Sequence, residues 1–72
     1  MKNEGPYQPN QLLQFFAYDH LPEDKRKISK LFSELAVEID KNLPNNVEKN
    51  TSMRRLLEAK DCAVRSTFFY DW

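Results

Sequence analysis

The chain has 72 residues, and its 11 Lys and Arg balance its 11 Asp and Glu. This length predicts one small domain with a thin core, for which oligomerisation is a common source of stability. The zero net charge argues against duplex DNA as a partner, the single Cys excludes an intramolecular disulfide, and no apolar run reaches the roughly 20 residues of a membrane span. We therefore expect a soluble intracellular protein with no DNA and no membrane partner.

The N-terminal part of the chain combines a polar stretch with a strongly apolar one. Residues 1–9 hold the only Gly and two of the four Pro, and we expect them to be flexible. Residues 10–18 are predicted to form a short helix, because a Pro suits a first helical turn. Its large apolar residues are Leu12, Leu13, Phe15, Phe16 and Tyr18. Such a patch is rarely left bare, so we expect it to dock on this chain's other helices or on a neighbouring chain.

A long helix is predicted over residues 22–43. Pro22 and the two acids that follow it are typical of a helix start. Apolar residues then recur with the roughly 3.6-residue period of an amphipathic helix. They are Ile28, Leu31, Phe32, Leu35, Ala36, Ile39 and Leu43. This stripe predicts the face on which the helix packs.

A second helix is predicted over residues 46–66. Pro44 ends the first helix, and Asn45 with Glu48 three residues later is typical of a capping box. The short loop makes the two helices antiparallel neighbours. The apolar positions of the second helix are Met53, Leu56, Leu57, Ala59, Ala63 and Val64.

The second helix also carries two predicted ion pairs and the single cysteine. The predicted ion pairs, four residues apart, are Arg54 with Glu58 and Asp61 with Arg65. Cys62 falls on the apolar side, and we interpret it as a small buried side chain.

The last six residues, 67–72, form an aromatic tail. Two helices share a single packing interface, which is too small to bury the apolar residues at both ends of the chain as well. Those residues are Leu12, Phe15, Phe16, Phe68, Phe69 and Trp72. We therefore predict an all-α fold within a single domain, residues 1–72. It is an antiparallel two-helix hairpin preceded by a short N-terminal helix and assembled into a homo-oligomer.

The residues that enzymes need are sparse. His20 is the only His and has no Cys or acidic cluster beside it, so we expect a surface side chain and not a catalytic base or metal ligand. Gly5 stands alone, which excludes a glycine-rich phosphate loop. We predict no enzyme activity, no catalytic residue, no metal and no cofactor.

An anion-binding function has better support. Four basic residues lie at the start of the long helix, where the helix dipole favours acidic side chains. They are Lys25, Arg26, Lys27 and Lys30. Phe16 and Tyr18 lie just upstream. Aromatic rings beside cations are what a nucleotide requires, a face for the base and a charge for the phosphate. The alternative is that the rings pack in a core or interface and the bases are solvated.

Several motifs resemble those of small helical-hairpin proteins found mostly in phages, a family that includes anti-CBASS proteins and the hairpin domain of an anti-Thoeris protein. The matching residues are Leu35-Ala36, Ile39, Leu43-Pro44, Glu48, Leu56-Leu57-Glu58-Ala59-Lys60-Asp61 and Ala63-Val64-Arg65. The resemblance implies a homo-oligomer, commonly a hexamer, in the host cytoplasm. It also implies a sponge for immune evasion, which sequesters cyclic di- or trinucleotides or cyclic ADP-ribose without cleaving them.

The resemblance also implies a set of ligand-binding residues. Tyr18 begins a tyrosine-x-x-leucine segment, in which the anti-CBASS branch uses the Tyr to stack a base. The anti-CBASS branch also uses a Lys further along the chain. In this sequence that position is Ser33, and Lys30, one turn earlier, is its candidate replacement. Arg65 matches the terminal Arg of the family and either contacts the ligand or pairs with an acid of its own helix. The predicted ligand-binding set is Tyr18, Phe16, Arg26, Lys30 and Arg65.

A second function is compatible with the same sequence. The aromatic ends would then dock a host or phage protein, and the chain would be a non-catalytic helical interaction or regulatory module with no nucleotide ligand.

Overall fold

The structure is a computed structural model that describes residues 9–68. It contains a 3₁₀ helix, Gln11–Phe16, followed by the helices α1, Glu23–Asn42, and α2, Val47–Ser66. This confirms the prediction that a short helix precedes two packed helices in an all-helical chain.

The N-terminal helix is shorter and tighter than predicted. Asn10 caps it by accepting a hydrogen bond from the backbone N–H of Leu12 at 2.8 Å. It ends at Phe16 because Ala17 adopts an extended backbone, with φ −61° and ψ 141°. Tyr18 therefore lies in the connection to α1 and not in the helix.

The core is small, and all three segments contribute to it. Phe16, Ala36 and Met53 are fully buried. Six half-buried apolar residues pack around them, namely Leu12, Leu13, Phe32, Ile39, Leu56 and Leu57. The N-terminal segment thus docks on its own hairpin, which buries more of that segment than expected. Phe15 remains 53% exposed and Phe68 64% exposed; Phe69 and Trp72 lie outside the described residues.

The packed face of α1 coincides only in part with the predicted apolar stripe, of which Ala36 is buried and Phe32 and Ile39 pack against the core. Its buried residues are Ser29, Ala36 and Asp40, whereas Leu31 is 63% exposed and Leu35 49% exposed. Ala36 packs in one buried cluster with Phe16 and Met53. The stripe prediction was therefore wrong for its two central leucines.

A buried ion pair, missed by the sequence analysis, closes the turn between α1 and α2. Lys49 Nζ lies 2.7 Å from Asp40 Oδ1, and both side chains are at most 3% exposed. The same ammonium donates to the carbonyl oxygen of Asp40 and to Asn45 Oδ1, each at 2.8 Å. Asp40 Oδ2 accepts the backbone N–H of Asn10 at 2.9 Å. One carboxylate therefore connects α1, α2 and the N-terminal segment.

The cap of α2 differs from the predicted capping box by one residue. Asn46 accepts a hydrogen bond from the backbone N–H of Lys49 at 2.8 Å, so Asn46 and not Asn45 is the cap. Asn45 instead holds the Lys49 ammonium.

Two further predictions for α2 need correction. Cys62 is exposed, because it follows Met53 by nine residues and about 100° per residue places it on the opposite side of the helix. Glu58 pairs with Arg55 at 3.2 Å, three residues away, and Asp61 pairs with Lys60 at 2.9 Å. These neighbours replace the predicted partners four residues away.

Within residues 9–68, neither long helix carries a stretch apolar enough to cross a bilayer.

Candidate functional site

The connection between the 3₁₀ helix and α1 brings several predicted site residues together around Leu21. The backbone N–H of Leu21 donates to the carbonyl oxygen of Tyr18 at 3.1 Å. Its own carbonyl oxygen accepts from Arg26 Nη1 at 3.5 Å. Leu21 also lines a groove together with Arg65. Tyr18, Arg26 and Arg65, which are distant in sequence, are thus gathered at the same end of the hairpin.

This groove, here called the Arg65 groove, has a volume of about 420 Å³. It runs between the N-terminal segment and the last turns of α2. Leu21 and Val64 provide apolar walls, and Phe15, which is 53% exposed, provides an aromatic ring. The polar lining includes His20, Lys60, Asp61 and Arg65. A ring and two permanent cations therefore share one concave surface.

The cations of the groove differ in how firmly they are held. The Lys60 side chain is only 12% exposed, and its ammonium contacts the Asp61 carboxylate at 2.9 Å. Arg65 is exposed, and its Nη2 donates to Cys62 Sγ at 3.3 Å. A thiol sulfur is a weak acceptor, and it engages one of the five N–H donors of a guanidinium. Arg65 is therefore the cation better placed to take an anion from solvent, and the pair predicted between it and Asp61 is replaced by Lys60–Asp61.

Phe16 does not fit the role predicted for it. Its side chain is fully buried against Ala36 and Met53, so its ring has no open face on which a base could stack. The adjacent Phe15 presents its ring to the groove instead. The physical reason is that the 3₁₀ helix directs one of the two neighbouring rings into the core and leaves the other at the surface.

The remaining predicted residues lie outside the lining of the Arg65 groove. Tyr18 is half-buried in the connection, and Arg26 is exposed in the first turn of α1. Lys30 is exposed one helical turn further along. We refer to these three residues together as a strip, since Tyr18 lies just before α1 and Arg26 and Lys30 lie in its first two turns.

One member of the basic run is committed to contacts within the chain. The Lys25 side chain is 14% exposed, and its ammonium lies 2.8 Å from Asp24 Oδ2 and 4.1 Å from the centroid of the Phe68 ring. The hydrogen bond from Lys25 lowers the pKa of Asp24 below its ordinary value of 3.8. Lys25 thus connects the start of α1 to the end of α2 and is a poor candidate for ligand binding.

Sequence reasoning missed Phe15 and Lys60 as site residues. Lys60 lies seven residues after Met53 and four before Val64, on the packed side of α2. A Lys at such a position packs its stem against apolar neighbours and keeps its charge at the edge, and this spacing was the available signal. His20 is exposed as predicted, but it lies at the groove.

A second groove lies on the other side of Phe15. Its volume is about 620 Å³, and its lining includes Asn10, Asn45, Asn50 and Arg54. It offers amides and one cation, a less charged surface than the Arg65 groove. Among the described residues, no cluster of three His, Cys, Asp or Glu side chains is arranged to hold a metal ion.

Comparisons with known proteins identify no relative. No protein-family model matches the chain, and neither a curated protein nor a solved structure matches it.

Proposed function

We propose that this chain is a non-catalytic phage sponge that binds and sequesters a cyclic nucleotide immune signal without cleaving it. The ligand would be a CBASS-type cyclic di- or trinucleotide or a Thoeris-type cyclic ADP-ribose, taken up in the cytoplasm of the host. The observation that carries the proposal is the Arg65 groove, in which Arg65 and Lys60 stand beside the exposed ring of Phe15. A ring can stack the base, and the cations can hold the phosphates.

The strip formed by Tyr18, Arg26 and Lys30 supplies further ligand-binding groups in this proposal. In a homo-oligomer, for which the family resemblance implies six chains, this strip on one chain would close over the groove of another. Closure excludes water and strengthens charge-assisted hydrogen bonds to phosphate. A sponge must hold its ligand longer than the host effector does, so slow release matters more than fast capture.

Native mass spectrometry tests the proposal directly. The purified chain is measured alone and with a mixed panel of cyclic dinucleotides, cyclic trinucleotides and cyclic ADP-ribose. We expect a multimer that retains one panel member with unchanged mass, since no bond is cleaved. A chain that retains none of them contradicts the sponge.

Single substitutions locate the site. Arg65→Ala and Tyr18→Ala should each weaken binding of the retained ligand at least about tenfold, the equivalent of one lost charge-assisted or stacking contact. Arg55→Ala is the matched control, because Arg55 lies on the same helix with a side chain that is 75% exposed and does not line the groove. If Arg65→Ala binds as tightly as Arg55→Ala, the Arg65 groove is not the site.

The second candidate, an interaction module without a nucleotide ligand, is favoured by the leucines on the outside of α1. Leu31 is 63% exposed and Leu35 is 49% exposed, which is typical of a surface that contacts another protein. A multimer that retains no member of the nucleotide panel would support this function over the sponge.

A further inference from the structure

The second groove, here called the amide groove, carries a positive charge with no acid in its lining. Asn50 and Arg54 contribute to it from α2, and neither Asp nor Glu lines it within residues 9–68. Arg54 is exposed, and Glu58, the acid predicted to pair with it, contacts Arg55 at 3.2 Å. The Arg54 guanidinium therefore has no ion-pair partner in the described part of the chain.

A chain of hydrogen bonds fixes which end of the Asn50 amide is left for a ligand. The backbone N–H of Leu12 donates to Asn10 Oδ1 at 2.8 Å, so the other end of the Asn10 amide is its NH₂ group. This group donates to Asn50 Oδ1 at 3.0 Å. The oxygen of Asn50 is thereby engaged, whereas its own NH₂ group has no partner among the described residues. Asn50 therefore offers hydrogen-bond donors to the groove.

The free donors of the amide groove lie close together. Asn50 and Arg54 are four residues apart on α2, which places their Cβ atoms about 6 Å apart on one surface of the helix. Together they provide the two N–H donors of an amide and the five of a guanidinium. Asn10, which orients Asn50, is itself held by the buried Asp40 carboxylate, whose Oδ2 accepts its backbone N–H at 2.9 Å. A positively charged set of donors is suited to an oxyanion.

We propose that the amide groove binds an aromatic phosphate monoester, with the phosphate held by Asn50 and Arg54. A guanidinium engages two oxygens of an anion side by side. A carboxylate has no further oxygen, whereas a phosphate monoester has a third, which Asn50 can bind. The ring of Phe15, which is 53% exposed, lines the same groove and provides a face for the aromatic group.

This site differs from the Arg65 groove in position and in ligand. Phe15 lines both grooves, but Lys60 and Arg65 line only the Arg65 groove. The cyclic nucleotides of the proposed sponge contain phosphodiesters or a pyrophosphate and no phosphate monoester. Phosphate binding in the amide groove therefore does not depend on the sponge function.

An NMR titration of the full chain with phenyl phosphate at low ionic strength tests the site, and benzoate is the matched ligand with a carboxylate. We expect saturable shifts of the Asn50 NH₂ and Arg54 Nε–H signals, and benzoate should bind at least about fivefold more weakly. Arg54→Gln should weaken phenyl phosphate binding at least about tenfold, because it removes the charge-assisted contact.

Asn50→Asp is the sharper variant. It keeps an oxygen that can accept from Asn10 and replaces only the NH₂ group, so circular dichroism should show unchanged helix content. Saturable binding should be lost, since the new carboxylate repels the phosphate and competes for Arg54. Binding of phenyl phosphate as tight as in the wild type would overturn the proposal.

Arg26→Gln is the matched control, because it removes a guanidinium from an exposed position outside the amide groove. It should bind phenyl phosphate like the wild type. The proposal is overturned if the Asn50 and Arg54 signals do not shift, if benzoate binds as tightly as phenyl phosphate, or if Arg54→Gln binds as tightly as Arg26→Gln. No cyclic nucleotide enters this experiment, so its failure is separate from failure of the sponge.

Discussion

The inward and outward faces of α1 each combine polar and apolar side chains. The inward face buries Ser29 and Asp40 beside Ala36, with Phe32 and Ile39 packed against the core, whereas the outward face exposes Leu31 and Leu35. A buried ion pair to Lys49 holds the inward face. The comparison shows that a buried ion pair and small side chains share the packed face of α1 with apolar residues, while two leucines stand on its exposed face.

The largest expected effect comes from breaking the ion pair of the inward face. Lys49→Met should lower the free energy of unfolding by about 3–5 kcal/mol, because it leaves the Asp40 carboxylate buried without its cation. A domain of this size has little more than that to lose, so the variant should be largely unfolded in thermal or urea denaturation.

Two variants sharpen this test. Asp40→Leu combined with Lys49→Met should recover part of the loss, since no charge is then left unpaired, although the backbone N–H of Asn10 loses its acceptor. Arg55→Met breaks the exposed pair with Glu58, whose side chains are 75% and 67% exposed, and should cost less than about 1 kcal/mol. Equal losses from Lys49→Met and Arg55→Met would contradict the anchoring role of the buried pair.

A smaller effect, of opposite sign, is expected at Ser29. Its hydroxyl is fully buried and has no hydrogen-bond partner among the described residues. Ser29→Ala should therefore leave stability unchanged or raise it by up to about 1 kcal/mol, as measured by urea denaturation.

Ser52→Ala is the comparison for Ser29. The Ser52 hydroxyl donates to the carbonyl oxygen of Lys49 at 2.8 Å, and its removal should cost up to about 1 kcal/mol. If Ser29→Ala proves the more damaging of the two, the Ser29 hydroxyl has a partner that this packing does not reveal.

The smallest effect is expected on the outward face, at Asp24. Its pKa is lowered by the hydrogen bond from Lys25, so the folded state favours the carboxylate. This stabilisation is present above the ordinary value of 3.8 and is lost as the pH falls through the lower pKa of the folded state. An NMR titration of the carboxyl carbon should show the depressed pKa in the wild type and a return towards the ordinary value in Lys25→Gln. An unchanged pKa in that variant would exclude Lys25 as the cause.

Local chemistry made much of the architecture predictable. Pro22 with its two acids marked the start of α1, and Pro44 marked the turn, because each constrains the backbone regardless of what surrounds it. The N-terminal helix was predicted too long, since only tertiary packing shows that the chain turns extended at Ala17.

The candidate site was predictable only in part. Arg65 was identified from its resemblance to a family motif, and it does line a groove. Phe15 and Phe16 are adjacent residues of the same type. Nothing in the local sequence distinguishes the ring that enters the core from the ring that faces the groove. Lys60 joined the site because α2 packs against the N-terminal segment, a contact between residues far apart in the chain.

The sequence by itself determined the helices, their order and their antiparallel connection, since periodicity, prolines and loop length act over a few residues. Only the tertiary structure decided how far the buried side of α1 departs from the predicted stripe. The stripe contained Phe32, Ala36 and Ile39, which pack in the core, but also Leu31 and Leu35, which are exposed. Three segments share one small core, and on α1 it is Ser29 and Asp40 that are buried in place of these leucines. The Asp40–Lys49 pair then holds this arrangement, because a charge removed from water must keep its partner.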